Sequence, residues 1–249
     1  MLIQKEIESY WESRADVYSQ SIKEELNSFK REVWQDLISK HVREKGEVKA
    51  LDVGCGPGFF TILMSELDYE VTAVDCTLDM LAEARENTEA AGYSAEFLKG
   101  DVHSLPFADN SFDLIVCRNL VWNLVEPKRA YREWYRILKP GGSLVVFDAN
   151  WYLRLQDISL EEENKKAARQ AQQLGYEDSA TQTQKKECAQ IAKKLTLSYE
   201  LRPNWDQEVL TDCGFAEVVL DFDISDKVWN KAEQIRYQAT PMFSVAAYK

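Results

Sequence analysis

Near the N-terminus apolar side chains recur three and four positions apart: Ile22, Leu26, Phe29, Val33 and Leu37 share one face, with charged residues between them. That period predicts a helical segment over residues 3–44, broken at Gly46. Downstream the pattern changes to short apolar runs, VKALDVG (48–54), EVTAVD (70–75), AEFLKGD (95–101), FDLIVC (112–117) and GSLVVFD (142–148). FFTILMSEL, LDMLAEARENTEAAG and EPKRAYREWYRILKPGG separate them with helical periodicity. Strands alternating with helices at this spacing predict a parallel sheet covered on both faces. Lys139-Pro140-Gly141-Gly142 predicts a sharp helix exit into the fifth strand.

From 152 to 203 the rhythm is different: Gln, Lys, Glu and Ala dominate and no strand is visible. Cys188, Ile191, Ala192 and Leu195 make one apolar stripe, so this stretch reads as a helical insertion, either an added layer or a cap over a site. WDQEVLTDCGF then predicts a helix ending at Gly214, and AEVVLDFDI and FSVAAYK predict two strands that complete the sheet. The expected division is an N-terminal helical segment (1–45), an α/β core (46–151 and 204–249) and the insertion (152–203).

Composition narrows the class. In 249 residues, 45% hydrophobic and 11% aromatic content is that of a globular protein. A net charge of −12 argues against nucleic acid as a partner, because phosphate contacts demand a basic surface. No apolar leader and no membrane-length apolar run is present, so the expectation is a cytoplasmic protein without a membrane partner. Five cysteines without a CxxC pair fit reduced thiols, and no metal site is expected. Cys55, Cys76 and Cys117, at the ends of three strands, fit small apolar fillers better than a thiol cluster.

The chemistry concentrates where the first strand turns. In D-V-G-C-G-P-G, Gly54, Gly56 and Gly58 lie at the strand–helix crevice where open α/β sheets bind ligands. The nicotinamide fingerprint is G-x-G-x-x-G; here the pattern is G-x-G-x-G, and Phe59 stands where that fingerprint has its last glycine. Asp75 ends the second strand, where a carboxylate accepts from both hydroxyls of a ribose. A nucleoside ligand is the reading. Asp52 either caps the loop amides or touches the ligand.

These residues carry a resemblance. The glycine loop with Asp75, then Gly100-Asp101 and Leu105-Pro106-Phe107, Phe112-Asp113-Leu114-Ile115, and Arg136-Ile137-Leu138-Lys139-Pro140-Gly141-Gly142 resemble, in order, the motifs of class I S-adenosylmethionine-dependent methyltransferases. Trp11, Arg14, Ala15 and Tyr18 resemble the W-x-x-R-A-x-x-Y helix of the small-molecule branch, which includes the ubiquinone and menaquinone methyltransferases. The resemblance is close over roughly residues 10–150 and loose over the last 45. It implies a Rossmann-like, doubly wound sheet of seven strands in the order 3-2-1-4-5-7-6, with the last strand antiparallel. It implies S-adenosyl-L-methionine as cofactor and a small-molecule methyl acceptor.

Carried over by position, Gly54, Cys55, Gly56 and Gly58 pass beside the amino-acid part of the cofactor, Asp75 holds the ribose, and Cys76 and Met80 flank the adenine. Asp101 and the Val102 amide read the adenine edge, Arg118 and Asn119 line the floor near the sulfonium, and Arg14 and Tyr18 close over the methionine side. Trp11, Trp122, Asn123, Trp151 and Tyr152 are the acceptor-side candidates; Asn123 stands where relatives often carry a histidine. Only two histidines exist, and His41 reads as structural. His103 and Asp148 are the candidate bases, each with a structural alternative. Methyl transfer requires no fixed catalytic residue, so a cofactor-binding protein without turnover stays open, as does a nicotinamide-dependent oxidoreductase.

Overall fold

The computed structural model of the protein describes residues 2–43 and 46–249. Positions 1, 44 and 45, at the ends of the expected N-terminal segment, lie outside the described residues. That segment forms three helices where the sequence pattern predicts a continuous helical run: α1 (Leu2–Glu12), α2 (Ala15–Leu26) and α3 (Lys30–Ser39). Short polar side chains mark both breaks. The Ser13 hydroxyl donates to the Tyr10 carbonyl, the Asn27 amide to Lys23, and the Ser28 hydroxyl to Glu25, so the last-turn carbonyls find partners that end the helix.

The core then alternates: β1 (Lys49–Val53), α4 (Phe59–Glu66), β2 (Glu70–Asp75), α5 (Leu78–Ala90), β3 (Glu96–Lys99), β4 (Phe112–Arg118), α6 (Pro127–Ile137) and β5 (Leu138–Ala149). After the insertion come α9 (Asn204–Cys213), β6 (Glu217–Asp221), two short helices α10 (Ser225–Val228) and α11 (Lys231–Arg236), and β7 (Met242–Tyr248). The sheet order is β3-β2-β1-β4-β5-β7-β6, with β7 antiparallel to both neighbours, as the resemblance implies. The predicted exit before the fifth strand is real but compressed: Leu138 already pairs with Phe112, and residues 139–142 bulge out before Ser143 pairs with Leu114. A Cβ on Gly142 would lie 2.9 Å from the Asp113 carbonyl oxygen, so the bulge has room only for glycine. The helix α11, unread in the sequence, starts from an Asn230–Glu233 capping box.

Strand side chains are apolar on both faces because both are covered. Ala50, Leu114, Val116, Val145 and Phe147 pack toward Trp34, Phe60 and Leu63 of α3 and α4. Leu51, Val53, Ile115, Leu144 and Val146 pack on the other face against Tyr131, Trp134 and Leu210 of α6 and α9. The parallel register brings β1, β2 and β4 to a common edge at Val53, Asp75 and Arg118. The site is built at that edge.

The insertion is helical, with α7 (Ile158–Gln173) capped by Asp157 and α8 (Gln182–Ala192) opened by a Thr181–Gln184 capping box. Its stripe of Cys188, Ile191, Ala192 and Leu195 meets Ile7 and Tyr10 of α1 and Trp122 in one buried cluster. Arg14 ties the same two elements together, donating to the Ser179 carbonyl (2.8 Å), the Ser179 hydroxyl (3.0 Å) and the Gln184 side chain (3.2 Å). Among the described residues no helix is long and apolar enough to cross a membrane.

His41 is half-buried, with Nδ1 2.7 Å from the Tyr248 hydroxyl, and burial together with Lys40 and Arg43 lowers its pKa to about 4. The unfolded chain takes up this proton near the ordinary value of about 6.5, before the native state does. Stability contributed by neutral His41 is therefore full above that value and is lost as pH falls toward 4. Urea midpoints measured from pH 7 to 4 should fall less steeply in His41→Gln than in the parent; equal slopes would contradict this assignment.

Candidate functional site

The loop after β1 is held by β2 before any ligand is considered. The amides of Gly54 and Cys55 both donate to the Val74 carbonyl, at 2.7 and 3.0 Å. The Gly56 amide donates to Asp75 Oδ2 at 3.0 Å, while Asp75 Oδ1 accepts from the Thr77 amide (2.9 Å) and hydroxyl (3.1 Å). All three loop glycines have positive φ, but they face different neighbours. A Cβ on Gly54 would strike the Leu120 side chain at 2.6 Å, and one on Gly58 would press on the α5 backbone at Ala84 (3.1 Å). Gly54 and Gly56 both line the cleft, Gly56 under the Tyr18 ring and near the Met80 sulfur.

The cleft measures about 950 Å³, including its open mouth. Asp52, Asp75 and Asp101 line it, as do Cys55, Cys76, Met80, Val102 and Asn119. Burial raises the pKa of Asp75 against the hydrogen bonds from Thr77 and Gly56. Asp52 accepts from the Thr61 hydroxyl at 2.7 Å, in the first turn of α4; burial raises its pKa to about 7 against that bond. Its side-chain partner is thus a helix hydroxyl and not a loop amide. At Asp101, burial pushes the pKa up but the His103 amide and ring win, and the carboxyl is held below its ordinary value.

His103 lines the cleft with both ring nitrogens engaged. Nε2 faces the Glu126 amide at 3.3 Å, and a backbone N–H can only donate, so Nε2 is the acceptor. Nδ1 then carries the proton and donates to Asp101 Oδ1 at 2.6 Å. The ring is an orienting strut, with no lone pair left for a reacting proton. The other candidate base, Asp148, is outside the cleft and fully buried. It accepts from the Trp122 and Ala149 amides, the Trp151 indole and Arg202, and Arg202 is shared with Asp206, which the Tyr131 hydroxyl also meets. Burial raises its pKa against the Arg202 charge.

Asn119 differs from the rest. It holds φ 56°, a left-handed conformation. Its amide donates to the Phe147 carbonyl, its carbonyl accepts from the Trp122 indole, and its side-chain Oδ1 is buried with no hydrogen-bond partner. A buried amide oxygen without a donor costs roughly 1–3 kcal/mol, and Asn119 is among the cleft's lining residues, so a ligand donor that reached this oxygen would offset that cost. Beside it Arg118 is ion-paired to Glu25 and stacked over Phe59.

The helices α1 and α2 roof the cleft with Gln4, Ile7, Trp11, Tyr18 and Ile22. Gln4 and Ile7 were not singled out from sequence, although extending the helical face back from Trp11 by four and seven positions reaches them. Of the acceptor-side candidates, Trp11 and Asn123 line the cleft. Trp122 and Tyr152 instead stack on each other beneath the insertion (5.1 Å between rings), and Trp151 packs against Trp229 and Tyr237. Arg14 points into the insertion and Gly58 into α5, so neither belongs to the lining. All five cysteines are free, and among the described residues no three His, Cys, Asp or Glu groups are placed to hold a metal ion.

Residues 51–146 match the methyltransferase domain family. A demethylmenaquinone methyltransferase of Listeria monocytogenes serotype 4a is 37% identical over 128 residues, covering 49% of this chain and 54% of that protein. The chain thus spans about half the length of the curated relatives it matches. Among solved structures, a SAM-dependent methyltransferase from Aquifex aeolicus superposes with TM-score 0.55 at 20% identity, covering 92% of this chain and 97% of that one. The [4+2]-cyclase SpnF gives TM-score 0.55 at 20% identity, over 87% of this chain and 80% of that one.

The buried Asp148–Arg202–Asp206 cluster supports the turn that carries Asn123. Arg202→Met leaves two carboxylates sealed without their cation and should cost about 3–5 kcal/mol in urea unfolding. A loss below about 1 kcal/mol would contradict a structural role for the cluster.

Proposed function

We propose, from the match of residues 51–146 to a methyltransferase domain family, that the cleft holds S-adenosyl-L-methionine and that the protein passes its methyl group to a small-molecule acceptor. The observation that carries this reading is that Asn119, whose side-chain Oδ1 is a buried acceptor without a donor, lines the same cleft as Asp75. An adenosyl amino acid supplies both complements: ribose hydroxyls for Asp75 and an ammonium for Asn119. Cys76 and Met80 flank the adenine, Asp101 and the Val102 amide meet its edge, and Gly54, Cys55 and Gly56 pass beside the amino-acid part. Tyr18 covers that end from above. The match to a methyltransferase family weighs against the nicotinamide alternative, as does the G-x-G-x-G spacing.

The bound cofactor supplies an activated methyl on a sulfonium whose departure leaves a neutral thioether. The chain's own residues position and enclose. Gln4, Ile7 and Trp11 close the roof, and Leu120, Asn123 and Leu124 shape the acceptor end, all of them uncharged. With His103 locked by two hydrogen bonds and Asp148 sealed in the core, orientation carries the rate; aligned reactants gain up to about 7–11 kcal/mol from it. The acceptor is therefore one that reacts without surrendering a proton to the protein beforehand. The reduced, quinol form of the quinone named in the Listeria relative is electron-rich and fits the uncharged lining, so a flat, uncharged, electron-rich ring is the proposed acceptor class; its displaced proton leaves to water after the methyl is transferred. The acidic chain makes nucleic acid an unsuitable partner, and the five free thiols suit the cytoplasm.

A second reading, a protein that holds the cofactor without methylating, draws on the two engaged bases and on the cyclase that shares the fold. Incubation with methyl-labelled cofactor and a panel of quinols, phenols and amines separates the two: label entering an uncharged ring supports transfer, and retention of label on the cofactor with every acceptor supports the second. In parallel, Asp75→Ala should weaken S-adenosylhomocysteine about a hundredfold by calorimetry, because hydrogen bonds to a charged group are worth roughly 1.5–3 kcal/mol each. Unchanged affinity in that variant, or binding of NADH by the parent, would contradict the cofactor assignment.

A further inference from the structure

Among the described residues that line the cleft, Arg118 is the single arginine or lysine. Its guanidinium donates to Glu25 through two parallel bonds, Nη1 to Oε1 at 2.7 Å and Nη2 to Oε2 at 3.1 Å. The Phe59 ring lies 4.2 Å away, and the Trp34 and Phe60 rings 5.3 Å, so the cation is packed in aromatic surroundings with its side chain only 11% exposed. Glu25 stands on α2 and reaches the end of β4 across 93 positions of sequence. It also accepts from the Trp34 indole at 3.2 Å, with Lys30 Nζ at 3.8 Å; Lys30 in turn is held by Glu233 at 2.7 Å. Glu25 itself is not part of the cleft wall. Whatever it does to a ligand, it does through Arg118.

We propose that Glu25 is a positioning residue that sets the cleft's preference between a cationic cofactor and its neutral product, by cancelling the charge of Arg118 in the cleft wall. The inference rests on the cofactor reading above. S-adenosylmethionine carries a sulfonium and an ammonium against one carboxylate, for a net charge of +1; S-adenosylhomocysteine has lost the sulfonium charge and is neutral. Two ligands of nearly equal shape thus differ by one charge. With Glu25 in place the arginine is neutralised, and the wall offers the Asp101 carboxylate together with the carboxyls of Asp75 and of Asp52, whose pKa stands at about 7, which favours the cation. Without the Glu25 carboxylate the same wall presents a bare guanidinium, with Lys30 behind it, in a site too dry to screen the repulsion. The neutral product feels little of this. Glu25 accordingly governs how readily spent cofactor is replaced by fresh.

Calorimetric titration of the full chain with S-adenosylmethionine and S-adenosylhomocysteine, in parent and variants, tests the proposal through the ratio of the two dissociation constants. Glu25→Gln should weaken the cationic ligand about tenfold, the scale on which a nearby charge shifts an equilibrium, and the neutral one less than about threefold. Arg118→Gln should move the ratio the other way, leaving the Glu25 carboxylate to favour the cation. The double variant should return it near the parent value. A purely structural role would weaken both ligands alike, and a ratio within about twofold of the parent in the single variants overturns the proposal. If Glu25→Gln does not fold, Arg118→Gln and the double variant carry the same test. A parent that binds neither ligand overturns the cofactor reading and this inference together; a parent that binds both, with an unmoved ratio in the variants, overturns this inference alone.

Discussion

The carboxylate of Asp75, at the buried end of β2, accepts the Gly56 amide on one oxygen and Thr77 on the other. With the Val74 carbonyl taking the amides of Gly54 and Cys55, it fixes the turn after β1 to the neighbouring strand. The rest of the cleft depends on that tie. The loop's left-handed glycines let Leu120 press in on one side and α5 on the other, with Gly54 and Gly56 on the cleft and Gly56 under Tyr18. Burial opposes the Asp75 charge, so the carboxylate needs donors, and two backbone amides and a hydroxyl do not fill all the lone pairs of two oxygens. The residue that organises the loop retains capacity for a ligand's hydroxyls.

How much of this was legible in the sequence depended on the range of the interaction. The strands β1, β2, β4 and β5 could be read because they are buried on both faces, which makes them continuous apolar runs between amphipathic helices; β3, at the sheet edge, is only half-buried and was read from its place in the alternation. Strand order could not follow from alternation and came from motif resemblance. The helix breaks at 13–14 and 27–29 were missed because their signal is a serine or asparagine bonding a carbonyl three or four residues back, which the apolar period does not register. Asp75 could be placed at the end of its strand, whereas Asp101 and Asn119, just beyond theirs, came from motif resemblance. The unsatisfied oxygen of Asn119 could not, since it depends on what every neighbour does with its donors.

Charge pairing was the least legible layer. In sequence Glu25 is one acid among several on a charged helix, and only the fold brings it to Arg118. Asp148 was a candidate base because it ends a central strand; Arg202, near the end of the insertion, holds it in the core. The tryptophans were similarly ambiguous. Trp11 sits on the cleft, whereas Trp122 and Trp151 anchor the insertion that presses α8 onto α1. The insertion thus reaches the cleft indirectly: α8 and Arg14 hold α1 in place, and α1 supplies Gln4, Ile7 and Trp11 to the roof.

The central claim is that the glycine loop, Asp75 and Asn119 together hold an adenosyl amino acid. The structure of a complex with S-adenosylhomocysteine tests it most directly. The account predicts ribose hydroxyls within about 3 Å of the Asp75 carboxylate and the ligand's amino group on Asn119 Oδ1, with the adenine between Cys76 and Met80. A ligand whose ribose lies away from Asp75, or an Asn119 Oδ1 that stays without a donor when the ligand is bound, would contradict it.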